Sequence, residues 1–258
     1  MDRKEKVARP EEAASRRGRV ILNRAELKAA MFIMQMEELE AVCSISEADM
    51  PDEQVLDEMR KKHFLVEGKE GVTWNEFVLF VLWSVFHSEY QLLQTTPWGN
   101  CNCYFHQDTI ILLHSDRAAD RYTFYWMPFI PDAIGGIAAY FEAFQETEPV
   151  DGSPEPLFLG EEMELRWPLR ADMEKALQER CGQTGETEIQ LVSELKTMRK
   201  QQVTQEALFL QWDEHIYCVT NQAGKTMAER MGYFEMIKEM AQQAISSHGQ
   251  AISAQKEG

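Results

Sequence analysis

The residues most capable of chemistry in this sequence are Cys101, Cys103 and His106, in the run Cys101-Asn102-Cys103-Tyr104-Phe105-His106. A structural zinc site wants four tetrahedral ligands, commonly a C-x2–4-C pair matched by a distant second pair. The tighter C-x-C spacing on a strand sets both thiols on one side, an awkward geometry for a shared ion, with Cys218 and His215 as the remote donors. The expectation is two buried strand cysteines and no bound metal or cofactor. Asp213-Glu214-His215 joins acids to an imidazole, but adjacent strand residues point to opposite faces and do not converge on one substrate atom. His87 lies in an apolar run and reads as a core histidine. The sequence has no Gly-rich phosphate loop, nucleophile elbow, H-E-x-x-H or paired CxxC. The expectation is a protein without catalytic residues, and an enzyme lacking a recognisable motif ranks third among the readings.

Charge narrows the partners. The chain has 258 residues, 43 acidic against 26 basic, for a net charge of −17. A field of that sign repels phosphate backbones and anionic lipid, so neither nucleic acid nor membrane insertion is expected. Asp52 to Val72 ahead of an apolar helix has a winged-helix outline, but its cations, Arg60, Lys61, Lys62 and Lys69, make a poor DNA stripe against that total. The most apolar stretch, Phe77 to Phe86 (FVLFVLWSVF), is about half the length a bilayer crossing needs and reads as a buried helix. Five cysteines, an odd number, and no leader-like apolar segment fit reduced thiols and a cytoplasmic location.

Several elements position these residues. Residues 1–19 read as a disordered lead of mixed charge. Val20-Ile21-Leu22 is a short strand, and Asn23 with Glu26 forms a capping-box pattern that opens a helix along Leu27, Met31 and Met34. Pro51-Asp52 opens a second helix, and Phe64 to Val72 is a hairpin about Gly68–Gly71. Thr73 is placed to cap a long buried helix running to about Gln94. After Pro97-Trp98-Gly99 the period becomes strand-like: Cys103 to Phe105, Thr109 to His114 and Arg121 to Met127 form an antiparallel meander, followed by a helix from about Pro131 to Phe144.

Residues 146–156 (ETEPVDGSPEP), with three prolines, a glycine and four acids, form the clearest linker. It separates an N-terminal half, 20–145, from a C-terminal half, 157–245. In the second half Leu157 to Leu169 is ambiguous, Asp172 to Arg180 is helical, and Glu188 to Gln202 fits either helix or strand. Ala207 to Trp212 and Ile216 to Thr220 are strands, Asn221 to Gly224 is a turn, and a Met-rich helix spans about Thr226 to Ile245. Residues 246–258 read as a disordered tail. Both halves end in a hairpin, a turn and an amphipathic helix. The fold class is therefore α+β: an antiparallel sheet with helices packed on one face, in two pseudo-repeated halves.

The order VILNRAELKAAMF, LDEMRKKHFLVEGKEGV, TIILLHSDRAADRYTFYWMP and ALFLQWDEHIYCVTNQAGKTM resembles the EspG-type chaperones of ESX (type VII) secretion systems, over roughly residues 20 to 245. That resemblance implies a non-enzymatic cytosolic adaptor that binds a secreted helical-hairpin (WxG-type) protein at its apolar tip. An immunity-type or scaffold protein-binding module is the alternative. Exposed aromatics at strand ends place the partner-binding residues at His114, Arg121, Tyr125 and Trp126, or on the late hairpin at Trp212 and His215. Met227, Met231, Met236 and Met240 offer an adaptable surface if exposed and core filling if not.

Overall fold

The computed structural model describes residues 18–68, 71–145, 155–181, 188–212 and 214–257. Strand β1 (Arg19–Leu22) leads into helix α1 (Arg24–Ile33), whose Asn23 side chain accepts from the Glu26 amide while the Glu26 carboxylate accepts from the Asn23 amide. Two short strands, β2 (Glu38–Leu39) and β3 (Cys43–Ser44), and a 3-10 turn (Glu47–Asp49) lead to α2 (Glu53–Lys61), capped by Asp52. The hairpin β4 (Leu65–Gly68) and β5 (Gly71–Trp74) precedes α3 (Glu76–Phe86). A four-stranded meander follows: β6 (Tyr90–Thr95), β7 (Cys101–His106), β8 (Thr109–Asp116) and β9 (Arg121–Met127), and then α4 (Ile130–Tyr140). The second half runs β10 (Leu157–Glu161), α5 (Ala171–Cys181), the meander β11 (Gln190–Arg199), β12 (Gln202–Trp212), β13 (His215–Gln222) and β14 (Lys225–Met231), and α6 (Tyr233–Glu257).

Ten of these strands form one antiparallel sheet in the order β1-β9-β8-β7-β6-β11-β12-β13-β14-β10. The halves meet where β6 pairs β11, from Tyr90 opposite Arg199 to Thr95 opposite Glu194. Each half supplies an outer strand that pairs with the last strand of its meander, and a helix that follows that strand. The expected α+β class with a large antiparallel sheet is what the molecule adopts. Helices, however, cover both faces. On one face, α4 and α6 close over Leu92, Cys101, Cys103, Phe105, Leu112, Phe209 and Cys218. On the other, α1 and α3 cover Leu93, Tyr104, Ile111, Leu113 and Phe124, while α5 covers Leu208, Leu210, Trp212 and Val219. A sheet of this breadth has two apolar faces, and each must be buried.

Three readings of the sequence are corrected. The helix expected to reach Gln94 ends at Phe86, and Asn75, not Thr73, caps it by accepting from the Phe77 and Val78 amides. Residues 90–95 are instead the central strand β6, in which Leu92 and Leu93 are both buried, one against each face. A strand covered on both sides loses the period-two alternation that marks half-buried strands. The Met-rich helix does not begin at Thr226. Lys225–Met231 is a strand paired with both β13 and β10, its buried Thr226 and Ala228 alternating with more exposed neighbours. The tail is no free segment either, for α6 continues to Glu257. Met236, Met240, Ala244, Ser247 and Ala251 recur three or four residues apart and are all buried, and the small ones let the helix lie close on the sheet. Of the expected linker, residues 146–154 lie outside the described residues.

The β13–β14 connection is a two-residue turn between Gln222 and Lys225, with positive φ at both Ala223 (50°) and Gly224 (76°). The right-handed sheet twist demands this turn type, which asparagine-glycine satisfies best. Alanine in the left-handed region costs roughly 1–2 kcal/mol. Ala223→Asn is accordingly expected to raise stability by about 1 kcal/mol, read as a higher urea midpoint at unchanged slope.

Candidate protein-interaction surface

The six sequence-derived contact residues fall into separate places. His114 (β8) and Tyr125 (β9) lie on the α4/α6 face, their rings 5.3 Å apart, with Tyr140 of α4 4.9 Å from His114. Burial pushes the His114 imidazole down to about 4, against the opposing effect of its bond with the Gly136 backbone, so the ring is neutral at physiological pH. Trp126, next to Tyr125 in the strand, points to the opposite face. It is 43% exposed. Arg121 is exposed at the start of β9, opposite Asp116. Trp212 and His215 face each other across the β12–β13 turn. Trp212 is only 2% exposed, packed beside Tyr217 with its indole nitrogen lacking a hydrogen-bond partner. His215 Nδ1 is 3.0 Å from an Arg230 nitrogen. Six strand steps separate β9 from β13 in the sheet order, about 29 Å at the usual spacing. The two clusters are therefore not one site, and the tryptophan of the second is a core residue.

What Trp126 does meet is a surface whose sequence reads as core. Helix α3 buries Val78, Val81, Leu82 and Val85, but Leu79 (37%), Phe80 (39%) and Trp83 (50%) face outward. Phe80 contacts Trp126 edge-on at 6.1 Å, and Trp83 stacks on His87 at 3.6 Å. The His87 ring is held in turn by the Trp83 carbonyl at 3.1 Å. Residues 79, 80 and 83 follow the one-face helical spacing, so α3 presents an apolar stripe to water as well as one to the core. The only hint in the sequence is that FVLFVLWSVF has no polar side at all, which a fully buried helix shares. A contiguous exposed aromatic surface of this kind marks an interaction site more often than an isolated apolar residue does.

A second aromatic group lies on the α4/α6 face: Trp98 stacks on Tyr140 and Phe144 at ring separations of 6.3 and 5.8 Å, with Phe129 and Phe234 exposed near the helix starts. Met227, Met231, Met236 and Met240 are not part of any surface of this kind, since the last three are buried in the core and Met227 is half-buried. Cys101 and Cys103 are fully buried on the α4/α6 face, and burial raises both thiols above their ordinary value, that of Cys103 to about 12. His106 does not turn toward them, because its Nδ1 lies 2.9 Å from the His87 carbonyl. Among the described residues no three His, Cys, Asp or Glu side chains come together as a metal-binding group. No helix among them is long and apolar enough to cross a membrane.

No protein-family model matches the sequence, and no curated protein matches it. Among solved structures, the chain is similar to the type VII secretion system chaperone EspG5 of Mycobacterium tuberculosis, determined in complex with a PE25–PPE41 dimer. The likeness covers 89% of this chain and 96% of that one, at a TM-score of 0.54 and 9% identity. The fold is EspG-like.

Proposed function

We propose that this chain is a non-enzymatic chaperone or adaptor that binds a helical protein client in the cytoplasm, the client being a WxG-type substrate of a type VII secretion system. The observation that carries the reading is an exposed aromatic surface, Phe80, Trp83 and Trp126, on a fold shared with EspG5 over nearly the full length of both chains. Aromatic side chains fixed on a helix and a strand lose little entropy when they bury against a partner, so they make strong anchors. The net charge of −17 keeps a chain with such a surface soluble and self-repelling until a client arrives. In this reading Trp126 and the Phe80/Trp83 stripe form the centre and Arg121 stands on the rim of the same strand. His114 and Tyr125, on the other face, hold that strand in place, and Trp212 and His215 stay outside the contact.

The test is retention of a client by the tagged protein from its native cells, with mass spectrometry and then titration of the purified client. A small helical secreted protein should co-purify at stoichiometric level. Trp83→Ala and Trp126→Ala should each weaken it by about 2 kcal/mol, roughly 30-fold, with the fold intact by circular dichroism. Undiminished binding by the double variant would remove this surface from the reading.

A further inference from the structure

A second apolar site lies away from the aromatic surface. The C-terminal end of α1, the segment around Ile45 and Met50, helix α2 and the β4–β5 hairpin enclose a groove of about 1160 Å³. Phe32, Met36, Ile45, Leu56 and Trp74 line it, and Ile33, Met50 (71% exposed) and Val72 (51% exposed) stand on its rim. Its size exceeds the roughly 300–1,000 Å³ typical of small-ligand pockets.

The charges around the groove select what can enter. Glu37 lines it at the α1 end, and Asp49, Asp52, Glu53 and Asp57 neighbour its lining residues Met50, Pro51, Leu56 and Arg60 in the turn and α2, while Glu38 and Glu40 line a separate pocket beside Val85 and Phe86. The nearby cations are already engaged: Lys28 binds Asp49, and Arg60 binds both Glu53 and Asp57. Glu37 and Asp52 pair with no cation in the described ion pairs. An anionic lipid or fatty acid would meet carboxylates there and find no free base among the described residues. A second copy of this chain, at −17, would bring the same sign of charge to the same place. A helix satisfies its own main-chain hydrogen bonds and asks of the groove only its apolar lining and a complementary charge.

We propose that this groove is a docking site for an amphipathic helix of a protein partner, its apolar face seated between α1, α2 and the β4–β5 hairpin and its basic flanks against Glu37 at the α1 end and Asp52 at the start of α2. Met36 and Met50 give the groove walls that repack around different apolar side chains. The inference rests on the groove and its rim and does not depend on the likeness to EspG5 or on the aromatic surface of α3.

The probes are synthetic peptides of about 18 residues, five helical turns, without aromatic residues. One has leucines on one face and lysines on the other, a second has glutamates in place of the lysines, and a third is the lysine peptide with its sequence scrambled. Fluorescence anisotropy should show the lysine-faced helix binding at least about tenfold tighter than the other two, and weakening with salt. Trp74 emission should shift to the blue, a shift lost in Trp74→Phe. Met50→Gln with Val72→Thr, both at exposed positions, should lower affinity about tenfold, and Glu37→Gln with Asp52→Asn, which keeps the α2 cap, should remove most of the preference for lysine. Equal binding of the scrambled peptide would reduce the effect to charge attraction and overturn the proposal. So would affinity unchanged in the Met50/Val72 variant, or concentration-dependent self-association that this variant abolishes. Trp83→Ala and Trp126→Ala should leave peptide binding untouched, so failure of the adaptor reading and failure of this one are read separately.

Discussion

Lys62→Met is expected to destabilise the protein by about 3 kcal/mol, more than Glu26→Gln does, and the double variant to be more stable than the single lysine variant. Glu26 is 1% exposed, and its carboxylate accepts the Asn23 amide at 2.9 Å to close the α1 capping box. Lys62, the C-cap of α2, brings its ammonium to 2.6 Å from one carboxylate oxygen and 2.8 Å from the other. This pair ties the start of α1 to the end of α2 across 36 residues of sequence. Removing the lysine leaves a carboxylate buried with one amide for company, and breaking a buried pair from one side costs about 3–5 kcal/mol. The lower figure applies because the lysine is 39% exposed and part of its interaction is screened. Glu26→Gln keeps an acceptor for the Asn23 amide and releases a half-exposed lysine to water, so its cost is nearer the 1–2 kcal/mol of a weakened cap. Urea unfolding of the four members of the cycle measures the coupling. Additive effects, or a glutamine variant worse than the methionine one, would mean that the pair is an incidental surface contact.

Glu26 also shows where the sequence is legible and where it is not. Its capping role can be read from N-x-x-E, because both partners lie within one helical turn. Its partner Lys62 cannot, since nothing local joins residue 26 to residue 62. The same division runs through the fold. The β8–β9 hairpin, a turn at residues 221–224 and the two early helices are visible because each is fixed by its own residues. Strand β6 escapes because Leu92 and Leu93 serve two cores at once, and a doubly buried strand has the apolar density of a buried helix. The C-terminal part of α6 escapes for the opposite reason. Ala244, Ser247 and Ala251 are small or polar by type, and only the sheet beneath makes them core.

The site follows the same logic. That Tyr125 and Trp126 cannot share a face is period-two arithmetic, and it divides the first cluster without any knowledge of the packing. That Trp212 is buried needs α5 to be laid over that end of the sheet. The outer stripe of α3 is hidden by its own composition, since a run without a polar side is taken as core. The groove bounded by residues 32–37, 45–51, 56–60 and the hairpin residues 65 and 72–74 is made of four segments whose adjacency no local pattern announces. Exposed apolar residues are what a sequence reports least well, because hydrophobicity names the preference for burial and not the partner that supplies it.

Between pH 6.5 and 4 the protein is expected to lose about 3 kcal/mol of stability through His114 alone. The imidazole is squeezed between the Tyr125 and Tyr140 rings, and desolvation there lowers it from 6.5 to about 4. A depressed histidine means that the unfolded chain takes up a proton which the folded chain refuses. Stability from this group is therefore complete above 6.5 and drains away as the pH falls toward 4, at 1.36 kcal/mol for each unit of the difference. His248 on α6 is also lowered by burial, with the same sign. The carboxylates act later: Asp49, bound by Lys28 and held at about 2, loses its contribution only below its ordinary value of 3.8. The two windows can thus be told apart. In His114→Phe the ring contacts with Tyr125 and Tyr140 persist while the titrating nitrogen is gone. That variant should be less stable than the parent at pH 7, having lost the bond to the Gly136 backbone, and should converge on it or overtake it near pH 4.5. Urea midpoints at pH 7, 5.5 and 4.5 decide the matter. Parallel pH profiles for parent and variant would mean that His114 takes up its proton as readily in the folded protein as in the unfolded chain, and that the ring is hydrated rather than sealed between the two tyrosines.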